Sequence, residues 1–313
     1  MIAYVAHRLA SLIVVMALVG ECVFLLLHLA PGDPAAIIAG DNATPDQIAS
    51  IRAHLGLDEA LPIQFLRWST AVLSGDLGVS IFSNTPVATL IGQRLEPTLS
   101  LALATLAFAV PVALVLGVLA AWRAGSSIDR ASMILAVAGF SAPAFVVGYL
   151  MIYVFAVTLK WFPVQGYTPI GESLADWARH LVLPALTLGL AYVALIARIT
   201  RATMLEVLAE DYIRTAKAKG VSTAPMLLKH ALRNAGVPII TVIGIGVALL
   251  IGGVVITETV YNIPGVGRLV VDAISKRDYP IIQGVILVFS AVYVVINLVV
   301  DISYTLIDPR IRY

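Results

Sequence analysis

Residues 237–260 read VPIITVIGIGVALLIGGVVITETV, twenty-four residues with one charged side chain, Glu258. About 20 mainly apolar residues suffice to cross the hydrocarbon core of a bilayer as a helix. The same reading applies to five more stretches: Leu9–Leu29, Leu99–Ala121, Ala131–Leu159, Leu181–Thr200 and Ile281–Ile307. Of the 313 residues 60% are hydrophobic and only 12% charged, and the mean hydropathy is +0.95. A soluble domain carries about twice that share of charge, and a globule of this size could not bury so much apolar surface. The fold class expected is therefore an all-α polytopic membrane protein with six transmembrane helices, in contact with membrane lipid, and a soluble enzyme is excluded. A formal net charge of +1 argues against a nucleic-acid partner. The single Cys22 permits neither an internal disulfide nor a thiolate cluster.

Lys and Arg favour the cytoplasmic side of short loops. With the N-terminus inside, twelve of the 20 fall inside: Arg8, Arg123, Arg130, Arg198, Arg201, Arg214, Lys217, Lys219, Lys229, Arg233, Arg310 and Arg312. The other eight fall outside, three of them in the long segment between the first two spans. That segment also holds Asp33, Asp41, Asp46, Asp58, Glu59, Asp76 and Glu96. Both termini are expected in the cytoplasm. The first span is expected to remain uncleaved, since Glu21 before Cys22 does not suit a lipoprotein processing site and the apolar run resumes to Leu29. Residues 1–98 then form the first helix with an outer segment, and residues 99–313 form a five-helix core.

Within the outer segment, Thr44-Pro45-Asp46-Gln47 is a capping box with Pro at the first helical position. Ile48, Ile51 and Leu55 share a face before Gly56 stops the helix, and a second amphipathic stretch runs from Pro62 to Leu73. This segment fits either a solvated cap or a docking surface. Between the fourth and fifth spans, Ala202 to Lys219 reads as one helix broken at Gly220, where only Gly turns without a Cβ penalty. Ser222 and Thr223 restart a helix with Pro225 in its first turn, ended by Gly236 and Pro238. This basic, amphipathic hairpin of helices fits either a loop on anionic headgroups or a knob that enters a cytoplasmic partner. Its length and internal capping favour the knob.

Several chemistries are missing from the sequence. No Gly is followed by Lys, so the chain carries no P-loop, and H-E-x-x-H, C-x-x-C and G-x-S-x-G are absent. Glu21, Glu258 and Asp301 are the acids near membrane depth; the last two are expected near span ends, in capping or pairing roles. Glu21, nearer mid-span, is expected to face a neighbouring helix or to be protonated. No acid or base accompanies Pro111, Pro143 or Pro184, the candidate kinks, so an ion-coupled carrier fits poorly. Gly244, Ala248 and Gly252, with Gly246 and Gly253, make the fifth span smooth for close helix packing.

Asp211-Tyr212-Ile213-Arg214-Thr215-Ala216-Lys217-Ala218-Lys219-Gly220, then His230-Ala231-Leu232-Arg233-Asn234-Ala235 and Pro238, resembles the cytoplasmic loop of ABC importer permeases. The resemblance is to the first of the two permease subunits in dipeptide, oligopeptide and nickel uptake. Leu29-Ala30-Pro31-Gly32-Asp33-Pro34, Gly75-Asp76-Leu77-Gly78, His180 to Gly189, Glu258 to Gly267 and Asp308-Pro309-Arg310 agree with it. One departure stands out: Arg214, Thr215 and Ala216 occupy the place of the general signature's Glu-Ala-Ala. The resemblance implies a type I ABC importer permease fold in the bacterial inner membrane, with cytoplasmic coupling helices between helices 4 and 5. It implies ATPase-coupling residues Asp211, Arg214, Thr215, Ala216, Lys217, Ala218, Lys219, Gly220, His230, Arg233 and Asn234. Expected partners are a homologous second permease, two ABC ATPase subunits that hold the ATP and Mg, and an extracytoplasmic substrate-binding protein. This chain itself then has no cofactor and no enzymatic activity. Di- or oligopeptides are the expected cargo, with nickel chelates or glutathione as alternatives; an ATP-independent carrier is the reading from another class.

Overall fold

The computed structural model describes residues 2–29, 35–36, 44–54 and 56–307. Pro31 to Pro34, Asp41, Leu55 and the closing Asp308–Arg312 stretch lie outside them. The described chain is helical almost throughout. In order the helices are α1 (Ile2–Leu29), α2 (Pro45–His54), α3 (Leu61–Leu73), α4 (Val87–Trp122), α5 (Ser127–Ser141), α6 (Ala144–Thr158), α7 (Leu174–Leu208) and α8 (Asp211–Ala218). They are followed by α9 (residues 223–234), α10 (Gly236–Val260), α11 (Val266–Lys276) and α12 (Tyr279–Ile307). Their contacts divide the chain into two compact units, Met1–Arg94 with Leu269–Val294, and Leu95–Arg268 with Val295–Tyr313.

Among the described residues, four helices are long and apolar enough to cross a bilayer: α4, α7, α10 and α12. The expected third span differs from a single tilted run. It consists of α5 and α6, bent by 103° at Ala142-Pro143. The cause is local, because Pro disfavours the α conformation in the residue before it, and Ala142 is extended at φ −85°, ψ 130°. By contrast α4 runs through Pro97 and Pro111, and α7 through Pro184. The expected first span falls on the 28-residue α1, whose apolar part among the described side chains is the shorter stretch Ser11–Leu26.

In the first unit the capping box forms as expected: Gln47 N–H donates to Thr44 Oγ1 (3.4 Å), and Thr44 N–H donates to Gln47 Oε1 (2.9 Å). α3 lies on α1 through a cluster in which the Phe24 ring stands 5.3 Å from Phe65 and 5.7 Å from Trp68. Gln64 anchors it by meeting His28 and by donating to the carbonyls of Leu57 and Glu59. Asp278, buried before α12, accepts from Ser80 Oγ (2.6 Å) and Ile81 N–H (3.3 Å), which holds the loop before α4. Glu21 is exposed on α1, so among the described residues it is not covered by a neighbouring helix.

The second unit is built on α4, α7 and α10. Lipid offers apolar side chains as good an environment as another helix, so close contact at small residues holds such helices together. A Cβ at Gly117 on α4 would stand 2.8 Å from Ala197 O of α7, and one at Gly253 on α10 would stand 2.6 Å from Leu188 of α7. Gly244 meets Val300 of α12 and Gly246 meets Tyr192, so the smooth faces of α10 serve packing, whereas Gly252 is open. One apolar core joins Leu101, Leu183, Ile196 and Leu250. A second, at the other end of α7, joins Val118, Met204, Ile213, Leu227, Ala231 and Ile239.

Candidate functional site: a basic elbow and a buried carboxylate

The helix expected from Ala202 to Lys219 is two helices. α7 continues to Leu208 and closes with tightened i−3 bonds from Ala209 and Glu210 to Glu206 and Val207. Glu210 is extended (φ −68°, ψ 146°), and its carbonyl accepts from Ile213 and Arg214 to start α8. The turn swings Ile213 (3% exposed) into the core beside Met204, which a straight helix could not do.

α8 ends where the sequence places the break. Gly220 has φ +79°, a left-handed conformation that costs an L-residue about 1–2 kcal/mol. Its N–H donates to Lys217 O (3.0 Å), and Val221 N–H donates to Ala216 O (3.2 Å). Together these bonds make a Schellman cap. α9 then leaves at Ser222 (φ −68°, ψ 158°), winds as a π-helix over Met226–Ala231, and meets α10 through a turn at Ala235. Leu227 and Ala231 face inward, while Leu228 is 60% exposed.

The two arms are tied by one hydrogen bond, from Asn234 Nδ2 to Tyr212 OH (2.8 Å); the same amide donates to His230 O. Asp211 pairs with Arg214 at 3.3 Å, and Thr215 Oγ1 donates to Asp211 O. Asp211, Arg214, Thr215, Lys217, Ala218, Lys219, Gly220, Arg233 and Asn234 are exposed, whereas Ala216 and His230 are half-buried. The elbow thus presents three Lys (Lys217, Lys219 and Lys229), two Arg, the Tyr212 ring and Leu228 on a scaffold fixed from beneath. Exposed charges of this kind steer association and set register, while apolar anchors supply the affinity.

Two features escaped sequence reasoning. Asp129, at the start of α5, takes a bidentate pair from Arg201 of α7 (Nε 2.5 Å, NH2 2.7 Å) and a third bond from Gly125 N–H (2.9 Å). The partners are 72 residues apart, so no local pattern marks them.

The second is the environment of Glu258, which is wholly buried near the end of α10. Val266 N–H donates to Thr98 Oγ1 (2.8 Å), so the hydroxyl proton of Thr98 goes to Glu258 Oε1 (2.6 Å). Arg268 N–H donates to Oε2 (2.9 Å). Glu258 and Thr98 thereby satisfy N–H groups of the first turn of α11, which no intrahelical partner reaches. Gly265 leaves the space, because a Cβ there would overlap the carboxylate. Capping was expected of this acid; the span that shares it was not.

Residues 113–313 match the family described as the binding-protein-dependent transport system inner membrane component, and residues 1–102 match its N-terminal companion. The chain is 59% identical over 310 residues to the probable peptide ABC transporter permease protein y4tP of Sinorhizobium fredii, covering 99% of each. It is 46% identical to the glutathione transport system permease protein GsiC of Salmonella paratyphi A, end to end. It is also 46% identical to a putative peptide transport system permease protein of Brucella abortus. Among solved structures, a chain of the inward-facing MetNI methionine ABC transporter superposes at TM-score 0.55 with 17% identity, covering 70% of this chain and 96% of that one. The all-α fold is thus of the type I importer permease kind. With its apolar helices and matches along the whole sequence, the chain is a multi-pass inner-membrane protein and belongs to the binding-protein-dependent transport permease family.

Proposed function

We propose that this chain is one membrane half of an ATP-driven importer of di- or oligopeptides. It pairs with a homologous second permease, rests on two ABC ATPases and receives cargo from an extracytoplasmic binding protein. Both termini are cytoplasmic, and the elbow formed by α8 and α9 is the ATPase contact. The observation that carries the reading is the 59% identity, end to end, with a probable peptide permease. The elbow supports it physically: Arg214, Lys217, Lys219 and Arg233 supply attraction and rim contacts, and Ala216, Ala218 and Leu228 supply packing. Movement of the ATPases then reaches α7 and α10 through the core around Met204 and Ile239. ATP and Mg reside on the partner subunits. Glutathione is the second reading, favoured by the 46% identity with a glutathione permease.

Purification of the tagged chain from its native membrane tests the assembly, with ATPase subunits expected to co-elute. In proteoliposomes, ATP-dependent uptake of a labelled dipeptide supports the reading, and uptake of glutathione alone selects the second. Uptake by the lone chain without ATP overturns both in favour of a carrier.

A further inference from the structure

The two ends of α10 are held by different kinds of contact. At the elbow end, Ala235 and Ile239 sit in an apolar core of Met204, Leu227 and Ala231. Such packing is tight but non-directional, whereas hydrogen bonds also fix orientation. At the other end Glu258 is held by directional hydrogen bonds from Thr98 of α4 and from the backbone of α11. Tyr261, just beyond, meets Thr187 Oγ1 of α7 (2.8 Å), and its carbonyl accepts from Gly166 N–H (2.9 Å). Between these ends lie 25 residues of helix, about 37 Å at 1.5 Å per residue.

We propose that the Thr98–Glu258 cage is the fulcrum of α10, a positioning device for the transport step. It pins one end of the helix, so that displacement at the elbow becomes a swing of α10 and not a translation. Glu258 accepts on both oxygens and Thr98 has its one proton committed to it. An amide at 258 would turn an N–H2 donor against a donor, and Val at 98 would remove the link between α4 and α10. The proposal rests on the importer reading above.

The test measures solute imported per ATP hydrolysed in the reconstituted complex, for the parent, Glu258→Gln, Thr98→Val and Thr98→Ser. Glu258→Gln and Thr98→Val are expected to lower the ratio about tenfold, the factor that follows from leaving a buried hydrogen-bonding group without its partner. Thr98→Ser keeps the hydroxyl and is expected to restore the parent ratio. A parent ratio in Thr98→Val, or equal losses in Thr98→Val and Thr98→Ser, overturns the fulcrum. If Glu258→Gln does not assemble, the Thr98 pair decides. A parent complex that imports nothing with ATP would instead sink the importer reading, so the two failures are distinguishable.

Discussion

Gly220 offers a graded perturbation of the elbow. Its φ is +79° and a Cβ there would meet no atom within 4 Å, so every effect of substitution is conformational. Gly220→Ala keeps the cap bonds and bears only the left-handed cost, about 1–2 kcal/mol. Gly220→Val adds β-branched crowding at the same φ. Gly220→Pro forces φ to about −65° and removes the N–H that bonds Lys217 O, which together cost about 3 kcal/mol or more. Because α8 is held separately through Ile213, the strain falls on the turn. At about 1.4 kcal/mol per tenfold, the population with a correctly set elbow falls roughly tenfold for Ala and more than a hundredfold for Pro. The assay is ATP-driven peptide uptake and peptide-stimulated hydrolysis in the reconstituted complex, with membrane insertion checked by the yield of monodisperse protein. Coupling in the order Gly, Ala, Val, Pro at constant yield is expected. Full coupling in Gly220→Pro would refute the reasoning.

Three further outcomes follow from the packing. Asp129→Asn breaks a bidentate pair whose arginine is 28% exposed, so the cost is discounted to about 2 kcal/mol; a lower unfolding temperature of the purified chain checks it. Met204→Ala empties a wholly buried site under the elbow at about 2–5 kcal/mol, and protease cleavage between α8 and α9 is expected to accelerate. Gly253→Val drives a side chain into Leu188 of α7 at about 1–3 kcal/mol. It is expected to lower thermal stability, and Gly252→Ala, at an open position, is expected to leave it unchanged.

The sequence was most legible where one residue type has one physical use. Gly220 and the box of Thr44 and Gln47 are local devices, and the structure places both as read. The four long apolar helices α4, α7, α10 and α12 were legible because apolar length is a local property. Direction is not: hydropathy runs unbroken from Ala131 to Leu159, yet Pro143 turns the backbone by 103°. The break at Ala209-Glu210 escaped for a similar reason, since neither residue forces a turn and the apolar stripe continues to Tyr212. Contacts between distant residues, such as Asp129 with Arg201 and Thr98 with Glu258, leave no periodic trace. The chemistry of Glu258 was foreseeable only as a carboxylate that needs donors near a span end.

Placement of the elbow against an ATPase is tested most directly by crosslinking from Lys217→Cys in a Cys22→Ser background, within the assembled particle. A short bifunctional reagent is expected to join position 217 to an ATPase subunit, and a membrane-impermeant thiol reagent added to intact cells is expected to leave it unmodified. Modification from outside, or a crosslink to the binding protein instead, would contradict the account.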